Sequence, residues 1–187
     1  MSETTFDFGA GKVPAHRHVN GGGWVADTAH VDASAYVGPE AKVGDNAKVC
    51  DNAKVCGQAK VCGQAKVGGK AKVGGKAKVY DEAQVYDEAL VYDEALVYGE
   101  AQVYGEAQVG GQAKVCGQAK VTRTPLYLSG YEFLLTVADN QVQIGCKTVG
   151  TTDELTPDIY PEEYCPQLRA AMPHLIPIIR AHWDAAK

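Results

Sequence analysis

The sequence predicts a mainly β protein. Its centre is a triangular solenoid of about five coils, closed by a small C-terminal β-hairpin and helices. Three observations predict it. From Val25 to Val121 a valine falls on every sixth residue without a slip. Sixteen alanines, from Ala29 to Ala119, keep the same step four residues after each valine. Gly or Asp recurs at the third position of nearly every unit from Asp45 onward.

A period of six fits neither an α-helix nor a heptad coil. It fits strands, because six is a multiple of two. Valine and the alanine two residues before it then share a face, and the residue between them, often lysine, points the other way. The recurring Gly or Asp marks a corner, since both accept left-handed backbone angles at little cost. Each unit is thus one short strand and one corner, and three units close a triangle. Residues 18 apart stack about 4.8 Å apart, giving a rod on the order of 25 Å long. Seventeen valines line the interior, each contributing roughly 1.5–3 kcal/mol on full burial. Alanine fills the tighter position, where a larger residue costs about 1–3 kcal/mol.

This V-[G/C/Y]-[G/D]-[N/Q/K/E]-A-[K/Q/L] pattern resembles the hexapeptide-repeat, left-handed parallel β-helix family, with its [LIV]-[GAED]-x-x-[STAV]-x consensus. Units such as Val97-Tyr98-Gly99-Glu100-Ala101-Gln102 are similar to those of uncharacterised hexapeptide proteins of bacteria and phages. The resemblance covers a little over half the chain. It implies left-handed winding, and it implies a trimer with parallel axes. The superfamily includes acyltransferases and γ-class carbonic anhydrases.

The flanks read differently. Residues 1–24 are expected to form an irregular N-terminal cap with at most one short strand, since Gly and Pro punctuate them. Trp24 is placed to cover the first coil, because an open solenoid end exposes core and unpaired backbone. Residues 25–121 are the solenoid. Residues 122–187 form a C-terminal piece for capping or oligomerisation. Within it, Glu132–Ala138 and Gln141–Cys146 flank Asp139-Asn140 as a hairpin, and residues 150–160 read as a loop. Leu168, Met172, Leu175, Ile176, Ile179 and Trp183 recur at helical spacing. Pro173 predicts a break into two short helices.

A chain of 187 residues, 45 % hydrophobic, with net charge −5, fits one folded domain with a cap at each end. Its start carries neither a basic region nor an apolar run, so no signal peptide is expected. No apolar stretch is long enough to span a membrane. The expected location is the cytoplasm, where six cysteines are free thiols by default.

Charge is segregated along the rod. From Ala41 to Lys78, nine lysines stand against Asp45 and Asp51, a net +7. From Val79 to Gln108, eight acids stand against no base, a net −8. Lys42, Lys48, Lys54, Lys60, Lys66, Lys72 and Lys78 form outward rows that could hold an anionic small molecule or an acidic partner. The plainer reading is a solvated surface left by repeat duplication. Specific nucleic-acid binding is not expected.

The acidic section is also aromatic. Tyr80, Tyr86, Tyr92, Tyr98 and Tyr104 follow valines, and Leu90 and Leu96 replace the usual outward residue. Exposed leucine beside tyrosine marks an interface, whereas a tyrosine ladder that only steadies the stack is the alternative. The resemblance favours a homotrimer. The charge map offers an antiparallel dimer as competitor.

Cys50, Cys56, Cys62 and Cys116 follow valines on spread positions, so neither a disulfide nor a zinc cluster is expected. His16, His18 and His30 are the only weak catalytic candidates. A structural loop is the stronger reading, because no cysteine or carboxylate cluster close by in sequence completes a site. The leading function is a non-catalytic rod that acts by binding, as a homo-oligomer without cofactor or metal. The alternatives are an acyl-CoA-dependent acyltransferase using these histidines and a sequestering protein for an anion or nucleotide.

Overall fold

The valine step becomes a stack of two-residue strands. The computed structural model describes residues 4–128, 135–139, 142–144, 147–150, 154–156 and 166–184. Strands β1 (Thr5–Asp7), β2 (Lys12–Arg17) and β3 (Trp24–Ala26) are followed by sixteen two-residue strands, β4 (His30–Val31) to β19 (Lys120–Val121). Every third strand pairs in parallel. Val25 lies on Val43, Val43 on Val61, and Lys48 on Lys66, each 18 residues on. The result is a parallel β-solenoid of about five turns with three faces. Outward positions on the first face are Trp24, Lys42, Lys60, Lys78, Leu96 and Lys114. On the second they are His30, Lys48, Lys66, Gln84, Gln102 and Lys120, and on the third Tyr36, Lys54, Lys72, Leu90 and Gln108.

The inward residues make the core. Sixteen of the seventeen valines, and every alanine from Ala35 to Ala119 at the repeat position, are at most 1 % exposed. Val31 and Ala29, on the first coil, are partly buried and pack on the same core. The corners take the predicted conformation: Asp45, Asp51, Asp81, Asp87 and Asp93 have φ between 53° and 59°.

The N-terminal segment is more regular than its glycines suggest. β1 and β2 form an antiparallel pair, with Phe6 opposite Val13. β2 continues antiparallel onto β3, with His16 opposite Val25. Two strands therefore stand where irregular chain is expected. The physical reason is the exposed lower edge of β3, whose backbone groups need partners. Phe6 stacks on Trp24 at 4.5 Å between centroids, and the Arg17 guanidinium lies 4.2 Å over the Trp24 ring.

Beyond the last coil, β20 (Leu126–Leu128), β21 (Leu135–Val137), β22 (Val142–Ile144) and β23 (Lys147–Gly150) form an antiparallel sheet in that order. Of the expected hairpin, Leu135–Val137 and Val142–Ile144 pair in register, Val137 opposite Val142. Asn140 and Gln141 lie outside the described residues, as does most of the expected loop 150–160. The sheet meets the solenoid at Asp139. Its amide donates to the Lys120 carbonyl at 2.9 Å, and its carboxylate accepts the Thr122 amide and faces Arg123 at 3.3 Å.

The expectation of two short helices is corrected. One helix, α1, runs Pro166–Asp184 through both Pro173 and Pro177. A proline inside a helix costs roughly 3 kcal/mol. Leu168, Met172, Leu175, Ile176 and Ile179 are buried together with Leu135, Val137 and Val142 of the sheet, each contributing about 1.5–3 kcal/mol. The prolines lie on the exposed side, where water can serve the freed carbonyls, so packing outweighs the break. No helix among the described residues is long and apolar enough to cross a membrane.

Candidate functional site

The three histidines are dispersed over separate partners. His16 Nδ1 donates to Asp27 Oδ1 at 2.7 Å on the exposed β2–β3 surface. His18 is 5 % exposed, and its Nε2 donates to the Ala35 carbonyl at 3.0 Å. It ties the N-terminal segment to the second corner of the first coil. His30 is exposed at the start of the second face, with Nε2 donating to Asp32 Oδ1 at 3.0 Å.

His30 has company that sequence proximity does not reveal. Asp32 follows it by two residues, on the same side of the chain, and Cys50 lies one coil above Asp32. One ligand atom from each of His30, Asp32 and Cys50 falls within 4.8 Å of the others. Asp32 is oriented from behind, since its Oδ2 accepts the Asp51 amide at 2.8 Å. Burial, then the carboxylates of Asp32 and Asp51, push the Cys50 thiol up, while Lys48 opposes them. The sequence reading spreads the cysteines over the rod and leaves His30 without a site. The coil register supplies what that reading lacks. Cys50, Cys56, Cys62 and Cys116 are free thiols, as expected.

The lysine rows form as the spacing predicts. Lys42, Lys60 and Lys78 stack on the first face, Lys48 and Lys66 on the second, Lys54 and Lys72 on the third. The first row is partly engaged: Lys60 Nζ donates to the Phe8 carbonyl at 2.6 Å, and Lys42 Nζ lies 5.0 Å over the Phe6 ring. Lys42 and Lys60, with Phe6, Trp24, Pro39, Glu40 and Gln58, line a groove of about 420 Å³. Where the basic section meets the acidic one, two ion pairs bridge the coils, Lys70–Glu88 at 2.9 Å and Lys76–Glu94 at 3.5 Å.

The seven interface candidates separate onto three corners. Tyr80 and Tyr98 stack on each other, 4.9 Å between centroids and 1° from parallel, which is the ladder arrangement. Tyr86 and Tyr104 line a second corner groove of about 440 Å³ with Gln84, Gln102, Asp51 and Asp87. Burial pushes the Tyr86 phenol up, and the neighbouring Cys50 adds to it. Tyr92 stands on the third corner, between Leu90 on the third face and Leu96 on the first. It is 39 % exposed, while both leucines are half-buried.

Below that corner the registers continue with Lys72 under Leu90 and Lys54 under Lys72, and with Lys78 under Leu96 and Lys60 under Lys78. One edge of the rod thus carries lysine in its lower half and leucine, tyrosine and acid in its upper half. Set against protein-family models, curated proteins and solved structures, the chain matches none. The class that its geometry defines is a parallel β-solenoid with an 18-residue rise.

Proposed function

We propose that the chain is a non-catalytic β-solenoid that works by binding, and that its first partner is a second copy of itself along the Leu90–Tyr92–Leu96 edge. The observation that carries this reading is the composition of that single edge. An antiparallel copy would lay the Leu90, Tyr92 and Leu96 side chains over the apolar stems of Lys54, Lys60, Lys72 and Lys78, with the ammonium heads toward Asp93 and Glu94. A parallel trimer, as the resemblance implies, would instead set equal heights side by side and bring acidic sections together. The dimer is adopted because it rests on residues of this chain. Burying two leucines and a tyrosine from each copy contributes several kcal/mol before the entropy of association is subtracted.

The hexapeptide family, the left-handed winding, a bacterial or phage origin and a cytoplasmic location belong to the same reading and are supported by the repeat's texture. Residues 122–187 act in it as the upper cap. Sedimentation equilibrium tests the assembly. It should give twice the mass of the 19.8 kDa chain at low salt, with weaker association as salt rises. A monomer at every concentration, or a trimer, would contradict it.

A second reading, an anion binder, is favoured by the groove that joins Lys42 and Lys60 to the Phe6–Trp24 pair. A nucleotide that binds there should lose affinity in Lys42→Ala. Nothing in the placement of His16, His18 and His30 brings them to one point, so the acyltransferase alternative gains no support.

A further inference from the structure

We infer that His30, Asp32 and Cys50 form a binding site for a thiophilic divalent cation of the zinc class. The three residues offer an imidazole nitrogen, a carboxylate oxygen and a thiolate sulfur, all within 4.8 Å of one another. Zinc ligands lie about 2.0–2.3 Å from the ion, so small side-chain rotations bring three such atoms onto one centre. The donor set selects the metal. Sulfur and imidazole favour zinc or cobalt over magnesium or calcium, which take oxygen alone.

The backbone holds each ligand in place. His30 sits in β4, whose Lys48 partner belongs to the strand above. Cys50 is fixed by its backbone N–H, which donates to the Val67 carbonyl at 2.9 Å. Asp32 keeps one oxygen on the Asp51 amide at 2.8 Å and turns the other toward His30. Such an outer hydrogen bond orients a ligating carboxylate. Two of the three depart from the repeat: His30 stands where Lys48 and Lys66 stand in later coils, and Asp32 stands where the column continues with Cys50, Gly68 and Tyr86.

Binding displaces the Cys50 proton to solvent, shifts the His30 ring proton from Nε2 to Nδ1, and replaces the His30–Asp32 hydrogen bond by two coordinate bonds. Lys48 is the one nearby cation opposing the ion among the groups that bear on Cys50, and Asp51 offsets it. Three protein ligands leave a fourth tetrahedral position, which the exposed side of His30 opens to water. The site is independent of the proposed dimer edge, which lies on another corner of the rod.

The test uses the full chain, stripped of metal under a non-chelating reductant and given one equivalent of Co²⁺. A thiolate-to-cobalt charge-transfer band should appear, and Zn²⁺ should abolish it by displacement. Cys50→Ser should remove the band, and His30→Gln and Asp32→Asn should each weaken binding by about tenfold or more, since even outer partners of metal ligands matter that much. Independently of any variant, Zn²⁺ should protect Cys50 from alkylation, read by peptide mass spectrometry, while Cys56 labels at an unchanged rate. No band in the wild-type chain, an undiminished band in Cys50→Ser, or equal labelling of Cys50 with and without Zn²⁺ overturns the assignment.

Discussion

Asp51 Oδ2 accepts the backbone N–H of Gly69, one coil above it, at 3.0 Å. The same bond joins Asp45 to Gly63 at 2.9 Å, Asp81 to Gly99 at 3.2 Å, Asp87 to Gly105 at 3.1 Å and Asp93 to Gly111 at 3.2 Å. On the second face of the first coil, Ala33 occupies the corner, and Asp32 makes the equivalent bond from one position earlier, to Asp51. A corner aspartate therefore does two things. It tolerates the left-handed angle, and it stitches adjacent coils.

Two substitutions at Asp51 separate those contributions. Asp51→Gly keeps the φ of 58° accessible and loses only the bond to Gly69, costing about 0.5–1.5 kcal/mol. Asp51→Ala loses the bond and also strains the backbone by a further ~1–2 kcal/mol. Urea unfolding should rank wild type above Gly and Gly above Ala.

The repeat alanines are sterically committed. Ala71 is fully buried between coils, so Ala71→Leu should overpack the triangle and destabilise by roughly 1–3 kcal/mol. Ala171, on the partly buried flank of α1, should accept leucine with a smaller change. Thermal melts of the two variants provide the comparison.

His182 should give the C-terminal unit a pH dependence. Its Nε2 is buried without a hydrogen-bond partner among the described residues. Burial first, then the Arg123 charge, hold its pKa below the ordinary value, with Asp139 acting the other way. The unfolded chain therefore binds a proton at a higher pH than the folded one. Stability is fully present above the unfolded value of about 6.5 and is lost as pH falls from there through the lower folded value. Melting between about pH 7.5 and 5.5 should show this loss in the wild type. It should be smaller in His182→Gln.

The solenoid was legible because one rule repeats along it. Valine every sixth residue, with Gly or Asp at the corner, leaves a single periodic solution. The ends obey no repeat, and there local signals compete with tertiary ones. Gly9, Pro14 and Gly21 to Gly23 read as irregular chain with one short strand, but the free edge of β3 recruits two strands. Pro173 suggested a break, but the apolar stripe from Leu168 to Ile179 keeps α1 whole. The His30–Asp32–Cys50 cluster is hidden in the sequence for a different reason. Its members are near only when the 18-residue register is applied to Asp32 and Cys50, and a search along the sequence around His30 does not apply it. The same register separates the tyrosines, leaving Tyr92 alone with Leu90 and Leu96.

The central claim is that the Leu90–Tyr92–Leu96 edge holds two copies together, and the double variant Leu90→Lys, Leu96→Lys tests it most directly. Lysine is the repeat's own residue at the registers below, in Lys72 and Lys78, so the fold should persist and the β spectrum should not change. In the dimer the new lysines would face the lysine rows of the second copy. Light scattering should report a fall from the mass of two chains to that of one, 19.8 kDa. An unchanged particle mass with an unchanged β spectrum would contradict the account.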